Sequence, residues 1–289
     1  MYLFALLAKH ETLRELEWGM LMFRALVEQV METMPRPFRQ LRSLICNATD
    51  AALVVLLPCL PHLEVLSLRL DTAPPRPRRT VGLRILPSLA QCPNLRVFKL
   101  STSSDNNMHI PLQGILDFAR ACNQLEQLEI DRGYFYNITI PEITDSHFET
   151  LVSQLPGLRK LDLKLCFEAS LSTRSLFSLG AHCPGLEELN LGGVFDLSLL
   201  GSTDRVLFPN LQKTILGHVG SRSNGSSADK CAMMMYYHAP KSSLSVRHGV
   251  IFGAAVEMAH RTLCETPHVF LLEQALKNIG KLKERIEQY

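Results

Sequence analysis

The sequence predicts an α/β solenoid: a curved parallel sheet on a concave face, helices on the convex face, and a helical cap at the C-terminal end. Three observations predict it. A six-residue phrase, leucine at positions one, four and six, recurs along most of the 289 residues. Apolar residues recur at fixed offsets before each phrase. A proline stands two residues before most of them. Fixed-period self-similarity marks repeat architectures, in which each unit buries its apolar face only against its neighbours.

The phrase is clearest at Leu63, Leu66 and Leu68, at Leu125, Leu128 and Ile130, at Leu158, Leu161 and Leu163, and at Leu186, Leu189 and Leu191. Leu95, Phe98 and Leu100 fit with one aromatic exchange. Alternation of buried and outward residues is the mark of a strand with one face in a core. Three residues before the first leucines stand His10, Phe38, Leu60, Cys92, Cys122, Leu155, Cys183 and Phe208. Seven before stand Leu6, Met34, Leu56, Phe118, Leu151 and Leu179, with Ser88 as an exception. Ten before stand Leu3, Met31, Leu53, Ile85, Ile115, Phe148 and Leu176. Spacings of three and four place these side chains on one helical stripe. Pro61, Pro93, Pro156, Pro184 and Pro209 then stop each helix, because proline lacks an amide hydrogen and disfavours helical geometry in the residue before it.

Eight units follow, with first leucines at Leu13, Leu41, Leu63, Leu95, Leu125, Leu158, Leu186 and Leu211, spaced 22 to 33 residues apart. The second and last are the weakest: Cys46 ends one phrase, and Thr214 replaces a core residue in the other, as expected of a terminal position. The array is thus expected over residues 1–216. Residues 217–248 read as a linker and irregular segment, because 217–230 hold four serines and three glycines. Residues 249–289 read as a helical cap, with Leu272, Leu276, Ile279, Leu282 and Ile286 at helical spacing.

The joins Cys92-Pro93-Asn94-Leu95 and Cys183-Pro184-Gly185-Leu186, with Cys122-Asn123-Gln124-Leu125 as a variant, resemble irregular leucine-rich repeat proteins of the F-box type, with a fungal-like character. The resemblance covers about residues 1–216. It implies a scaffold that selects target proteins for ubiquitination. The chain departs from the pattern in two ways. Of the turn positions eight residues after the first leucine, Cys166 matches the expected Asn or Cys, whereas Asp71, Ser103 and Gly133 do not. The first repeat begins at Leu3, which leaves no room for an F-box, so ubiquitin-ligase components are expected as partners only if that module lies outside this chain. The alternatives are a stand-alone regulatory repeat protein that modulates an enzyme such as a GTPase, and a truncated gene product without independent function.

Composition narrows the partner class. Net charge is +2 with both signs interspersed, unlike the basic stripe of a nucleic-acid surface. The densest basic run, Arg76 to Arg79, reads as a solvated loop. No apolar run reaches the roughly 20 residues that span a bilayer. Eight cysteines show no paired zinc spacing, and Cys92, Cys122 and Cys183 share one slot with Leu and Phe, so they read as small buried hydrophobes in a reducing compartment. A cytoplasmic or nuclear location follows as the expectation.

No phosphate-binding glycine motif occurs, Gly192-Gly193 reads as a turn, and Ser221 to Gly225 misses the nucleophile elbow. The expectation is therefore a non-enzyme without cofactor or metal. Strand alternation assigns the residues between the leucines to the concave face. Candidate partner contacts there are Glu15, Glu17, Arg69, Lys99, Glu129, Asp131, Lys160, Asp162, Lys164 and Asn190. They would hold a protein or peptide ligand, with charge setting specificity. Tyr134, Phe135 and Tyr136 form an aromatic loop of the kind favoured at binding hot spots.

Overall fold

The computed structural model describes residues 2–34, 37–70, 81–102, 108–131, 138–163, 171–203, 205–219 and 228–246. Strands and helices alternate along the chain: α1 (Tyr2–Ala8), β1 (Glu15–Met22), α2 (Arg24–Thr33), β2 (Ser43–Ala48), α3 (Asp50–Leu56), β3 (Val65–Leu70), β4 (Val81–Gly82), α4 (Ile85–Leu89), β5 (Val97–Thr102), β6 (Met108–His109), α5 (Leu112–Ala121), β7 (Gln127–Asp131), β8 (Ile138–Thr139), α6 (Asp145–Ser153), β9 (Lys160–Leu163), α7 (Thr173–His182), β10 (Glu188–Phe195), β11 (Lys213–Val219), α8 (Ala228–His238) and β12 (Ser243–Val246). The fold is α/β. Nine strands form one all-parallel sheet in the order β1-β2-β3-β5-β7-β9-β10-β11-β12, and the two-residue strands β4, β6 and β8 form a second parallel ribbon. Each long strand pairs with the next long strand of the chain, and successive helices α1 to α7 pack side by side.

The register explains why the phrases form this sheet. Leu16, Leu44, Leu66, Phe98, Leu128, Leu161, Leu189, Thr214 and Leu244 lie level across it. All nine are buried. They meet helix residues such as Leu53, Ile115, Phe118, Phe148, Leu151 and Leu179 in one core. Fully burying a side chain of this size contributes about 1.5–3 kcal/mol.

The helix ends are fixed by side chains. Thr49, Thr144 and Ser172 cap α3, α6 and α7, each accepting a hydrogen bond from a first-turn amide. Two aspartates reach across to the next helix. Asp50, in the first turn of α3, accepts from Arg84 N at 3.2 Å, just before α4. Asp145, in the first turn of α6, accepts from Ser172 N at 2.9 Å and Ser172 Oγ at 2.6 Å, and also from Ser175 Oγ in α7. The prolines' turns are stitched in the same way, since Asn94 and Asn210 donate to the carbonyls of Pro61 and Pro184 one unit earlier.

The shared cysteine slot has a reason that hydrophobicity alone does not give. Cys122 and Cys183 are the residues just past α5 and α7, with amides bonded to Phe118 O and Leu179 O. Their thiols, and that of Cys92, point at carbonyls of the preceding unit: Cys92 to Leu57, Cys122 to Leu89 and Cys92, Cys183 to Leu155. Each of these carbonyls already accepts one turn amide, and a thiol is small enough to fill the core while donating weakly to the remaining lone pair. Burial pushes these thiols up, to about 11 for Cys92 and about 12 for Cys122 and Cys183.

Four expectations change. Residues 217–248, expected as a linker and irregular segment, contain α8 and the ninth strand of the sheet, so the strand series does not stop at 216. Thr214 is accordingly not terminal: it is fully enclosed under β12, and its hydroxyl pairs with Ser242 Oγ at 2.6 Å. Gly192-Gly193 is not a turn after β10 but lies within it, at a bulge where the pairing to β11 shifts. In α1 the expected stripe Leu3 and Leu6 faces outward at 56% and 45% exposure, and Phe4 is buried in its place against Trp18 and Phe38, with ring centroids 4.9 and 5.3 Å away. Aromatic packing on the sole tryptophan sets the rotation of that helix. The expected cap at 249–289 and the turn positions Asp71, Ser103, Gly133 and Cys166 lie outside the described residues, as does the basic run 76–79. Among the described residues no helix is long and apolar enough to cross a membrane.

Candidate functional site

All-parallel sheets are nearly always covered on both faces, and their strands then read as continuous apolar runs. Here most strands alternate, β10 being the main exception, and the residues between the buried ones form three outward rows. The first row is Glu15, Ser43, Val65, Val97, Gln127, Lys160, Glu188, Lys213 and Ser243. The second is Glu17, Ile45, Ser67, Lys99, Glu129, Asp162, Asn190, Ile215 and Ser245. The third, shorter row is Asn47, Arg69, Ser101 and Asp131. Asn190 is buried, and the other members of these rows are half-buried or exposed.

The middle of this face is an ion-pair network. Lys99 Nζ lies 3.1 Å from Glu129 Oε1, Lys160 Nζ 3.3 Å from the same oxygen, and Lys160 Nζ 3.2 Å from Glu188 Oε2. The network zigzags across four strands, from β5 to β10. Burial pulls the Lys160 ammonium down, but Glu188 and Glu129 outweigh it and hold it above the ordinary lysine range. Beside the network, Asn190 Nδ2 donates to Asp162 Oδ1 at 2.9 Å. Cross-strand opposite charges contribute about 0.2–1 kcal/mol each, so the network orders its side chains more than it stabilises the fold.

A second set of pairs runs along the lip of the sheet, one residue before the first row. Arg42 pairs with Glu64 at 2.6 Å, Arg96 with Glu126 at 3.3 Å, and Arg159 with Glu187. These residues precede the strands proper, so alternation between the strand leucines does not mark them as a site. Reading the second position of every phrase down the chain gives Arg14, Arg42, Glu64, Arg96, Glu126, Arg159, Glu187 and Gln212. The alternation of sign from Arg42 to Glu187 was therefore present in the sequence.

Toward β1 the face turns apolar. Val65 and Val97 are neighbours in the first row, and Ile45, 42% exposed, sits in the second. Met20, at 59%, is thrown outward by a bulge in β1 that Asn47 pins by donating to Gly19 O at 2.8 Å. This apolar strip is flanked by Glu15 and Glu17 on one side and by the ion-pair network on the other.

The structure thus brings Lys99, Glu129 and Lys160 into direct contact and sets Asp162 against Asn190. Glu15, Glu17, Arg69 and Asp131 stand on the same face at its margins, with Glu15, Glu17 and Arg69 exposed. Lys164, Tyr134, Phe135 and Tyr136 lie outside the described residues. Strand alternation already assigns Ile45, Val65 and Val97 to this face, and Met20 is the addition. Among the described residues no group of three His, Cys, Asp or Glu side chains is disposed to hold a metal ion. Compared with models of known protein families and with curated protein sequences, the chain matches none.

Proposed function

We propose that this chain is a leucine-rich repeat solenoid that acts as a non-catalytic protein-recognition scaffold, similar to the substrate-binding part of F-box-type receptors. The observation that carries the reading is the open face of a nine-stranded parallel sheet. An apolar strip of Ile45, Val65 and Val97 is framed there by ordered charges. Protein interfaces combine an apolar centre with a polar rim, and the rows supply both on one rigid surface. In the proposed solenoid this face is the concave one. Because both signs are interleaved and mutually paired, the surface suits a protein or peptide partner that matches a pattern, rather than a polyanion that needs uncompensated positive charge.

Affinity capture with the intact chain, followed by mass spectrometry, tests the reading when paired with Ile45→Glu, an exposed change that leaves the core intact. A partner captured by the unaltered chain and lost with Ile45→Glu supports a scaffold that binds through this face. Ubiquitin-ligase adaptors among the captured proteins favour the receptor role, and a single enzyme favours a regulatory one. Equal capture by both chains, or none by either, removes the support for the face as a docking surface.

A further inference from the structure

In this sheet, most charges on outward positions are matched by the neighbouring strand, with Arg69 and Lys213 as exceptions. Glu64, Glu126 and Glu187 meet Arg42, Arg96 and Arg159, while Glu129 and Glu188 meet Lys99 and Lys160. The first strand differs in having three unmatched charges together. Among the described residues, Arg14, Glu15 and Glu17 have no ion-pair partner, and their neighbours on the β2 side are Arg42, Ser43 and Ile45. The places where their partners would stand lie beyond β1, which is the edge strand of the sheet among the described residues.

The backbone of β1 points the same way. Arg14 O accepts from Arg42 N at 2.7 Å and Ser43 N at 2.9 Å, so it faces β2. Strand alternation then turns the amides and carbonyls of Glu15 and Glu17 toward the open side. An edge strand with unpaired backbone groups is a template for another strand, and natural proteins usually shield it. The opposite edge, β12, has only Ser243 and Ser245 on its outward positions. The two edges are therefore not equivalent, and only β1 carries a charge code.

We infer that the β1 edge binds an extended segment of another protein as an added parallel strand, selected by an acidic residue level with Arg14 and basic residues level with Glu15 and Glu17. Apolar residues level with Leu16 and Trp18 complete the pattern, because those positions point into the core. Backbone pairing supplies the attachment and alternate side chains the selectivity, as in other cases of strand addition. The site is separate from the sheet face of the proposed function, and its test does not depend on that reading.

The probe is a fluorescein-labelled peptide, acetyl-Leu-Glu-Lys-Leu-Lys-Leu-amide, titrated with the full chain and followed by anisotropy. Three cross-strand pairs changed from attraction to repulsion predict a preference of at least about tenfold over the charge-swapped peptide Leu-Lys-Glu-Leu-Glu-Leu. Glu15→Lys/Glu17→Lys, both exposed, is expected to invert that preference while leaving the circular dichroism spectrum unchanged. Methylating the amide nitrogen of the central leucine, whose N–H would face β1, is expected to abolish binding. Equal affinity for the two peptides, binding that survives methylation, tighter binding of the reversed sequence, or no binding at all would overturn the inference. So would self-association of the chain that Glu15→Lys/Glu17→Lys dissolves, since a second copy would then occupy the edge.

Discussion

Replacing Asp145 with alanine removes a bridge between two successive helices, and its cost can be worked from the contacts. The carboxylate accepts from Ser172 N and Ser172 Oγ at the N-cap of α7 and from Ser175 Oγ in its first turn. Ser172 is half-buried, and water can replace part of what it loses. Ser175 is fully enclosed, so its hydroxyl forfeits a charge-assisted bond, and leaving a buried donor unmet costs about 1–3 kcal/mol. Loss of an acidic residue from the first turn of α6 adds about 0.3–1 kcal/mol. The expected destabilisation is about 3 kcal/mol, and Asp145→Asn, which keeps one acceptor but no charge, should cost roughly half of that. Burial pushes the Asp145 carboxyl up, but Ser172, Ser175 and the Arg174 charge pull it further down, below the usual carboxylate range. Its folded value thus lies below its unfolded one. The contribution is fully present above the unfolded value and fades as pH falls through the folded one. Urea denaturation followed by circular dichroism, at neutral pH and at about pH 3.5, measures both effects. Ser146→Ala, in the same turn but exposed, is the control. An Asp145→Ala midpoint no lower than that of Ser146→Ala, or a gap between wild type and Asp145→Asn that is unchanged at acid pH, would refute the bridge.

Three further outcomes are expected. Leu161→Asp places a carboxylate in the buried row between Leu128 and Leu189 and should either unfold the chain or split its thermal melt, since units are held mainly by their neighbours; an unchanged single transition counts against the shared core. Lys160→Glu sets a third carboxylate between Glu129 and Glu188 and should cost about 1–3 kcal/mol at low salt, with much of the penalty gone in 1 M salt as the charges are screened. Because the Lys160 ammonium is held above the ordinary lysine range, that penalty should not vary between about pH 6 and 9. Gly217→Ala would bring a methyl group within 2.7 Å of Gly193 N at the β10 bulge; a lowered melting temperature is expected, whereas Gly185→Ala, which meets nothing within 4 Å, should not change it.

The parallel sheet was legible because its determinants are local: leucines at a period of two and prolines that end helices need no knowledge of the neighbours. The outward rows were legible for the same reason, and Lys99, Glu129, Lys160 and Asp162 fall where alternation puts them. The extent of the series was not. Residues 228–246 carry no leucine phrase, because Ser242 and Ser243 stand beside a single core residue, Leu244, and what admits this strand is a polar contact with Thr214 that only the paired structure reveals. The rotation of α1 was hidden likewise, since Leu3 and Phe4 are both apolar, and the choice rests on Trp18 and Phe38 lying across from it. The bulge in β10 needs glycines on two strands facing one another, a match that no single stretch of chain displays.

The enclosed thiols at three of the joins make those seams of the molecule chemically distinguishable. Cys92, Cys122 and Cys183 are shut away from solvent and held in the unreactive neutral form, so an alkylating reagent reaches one of them only when its own seam parts. The order in which the three are modified would report where the stack comes undone first, without any probe having to be introduced.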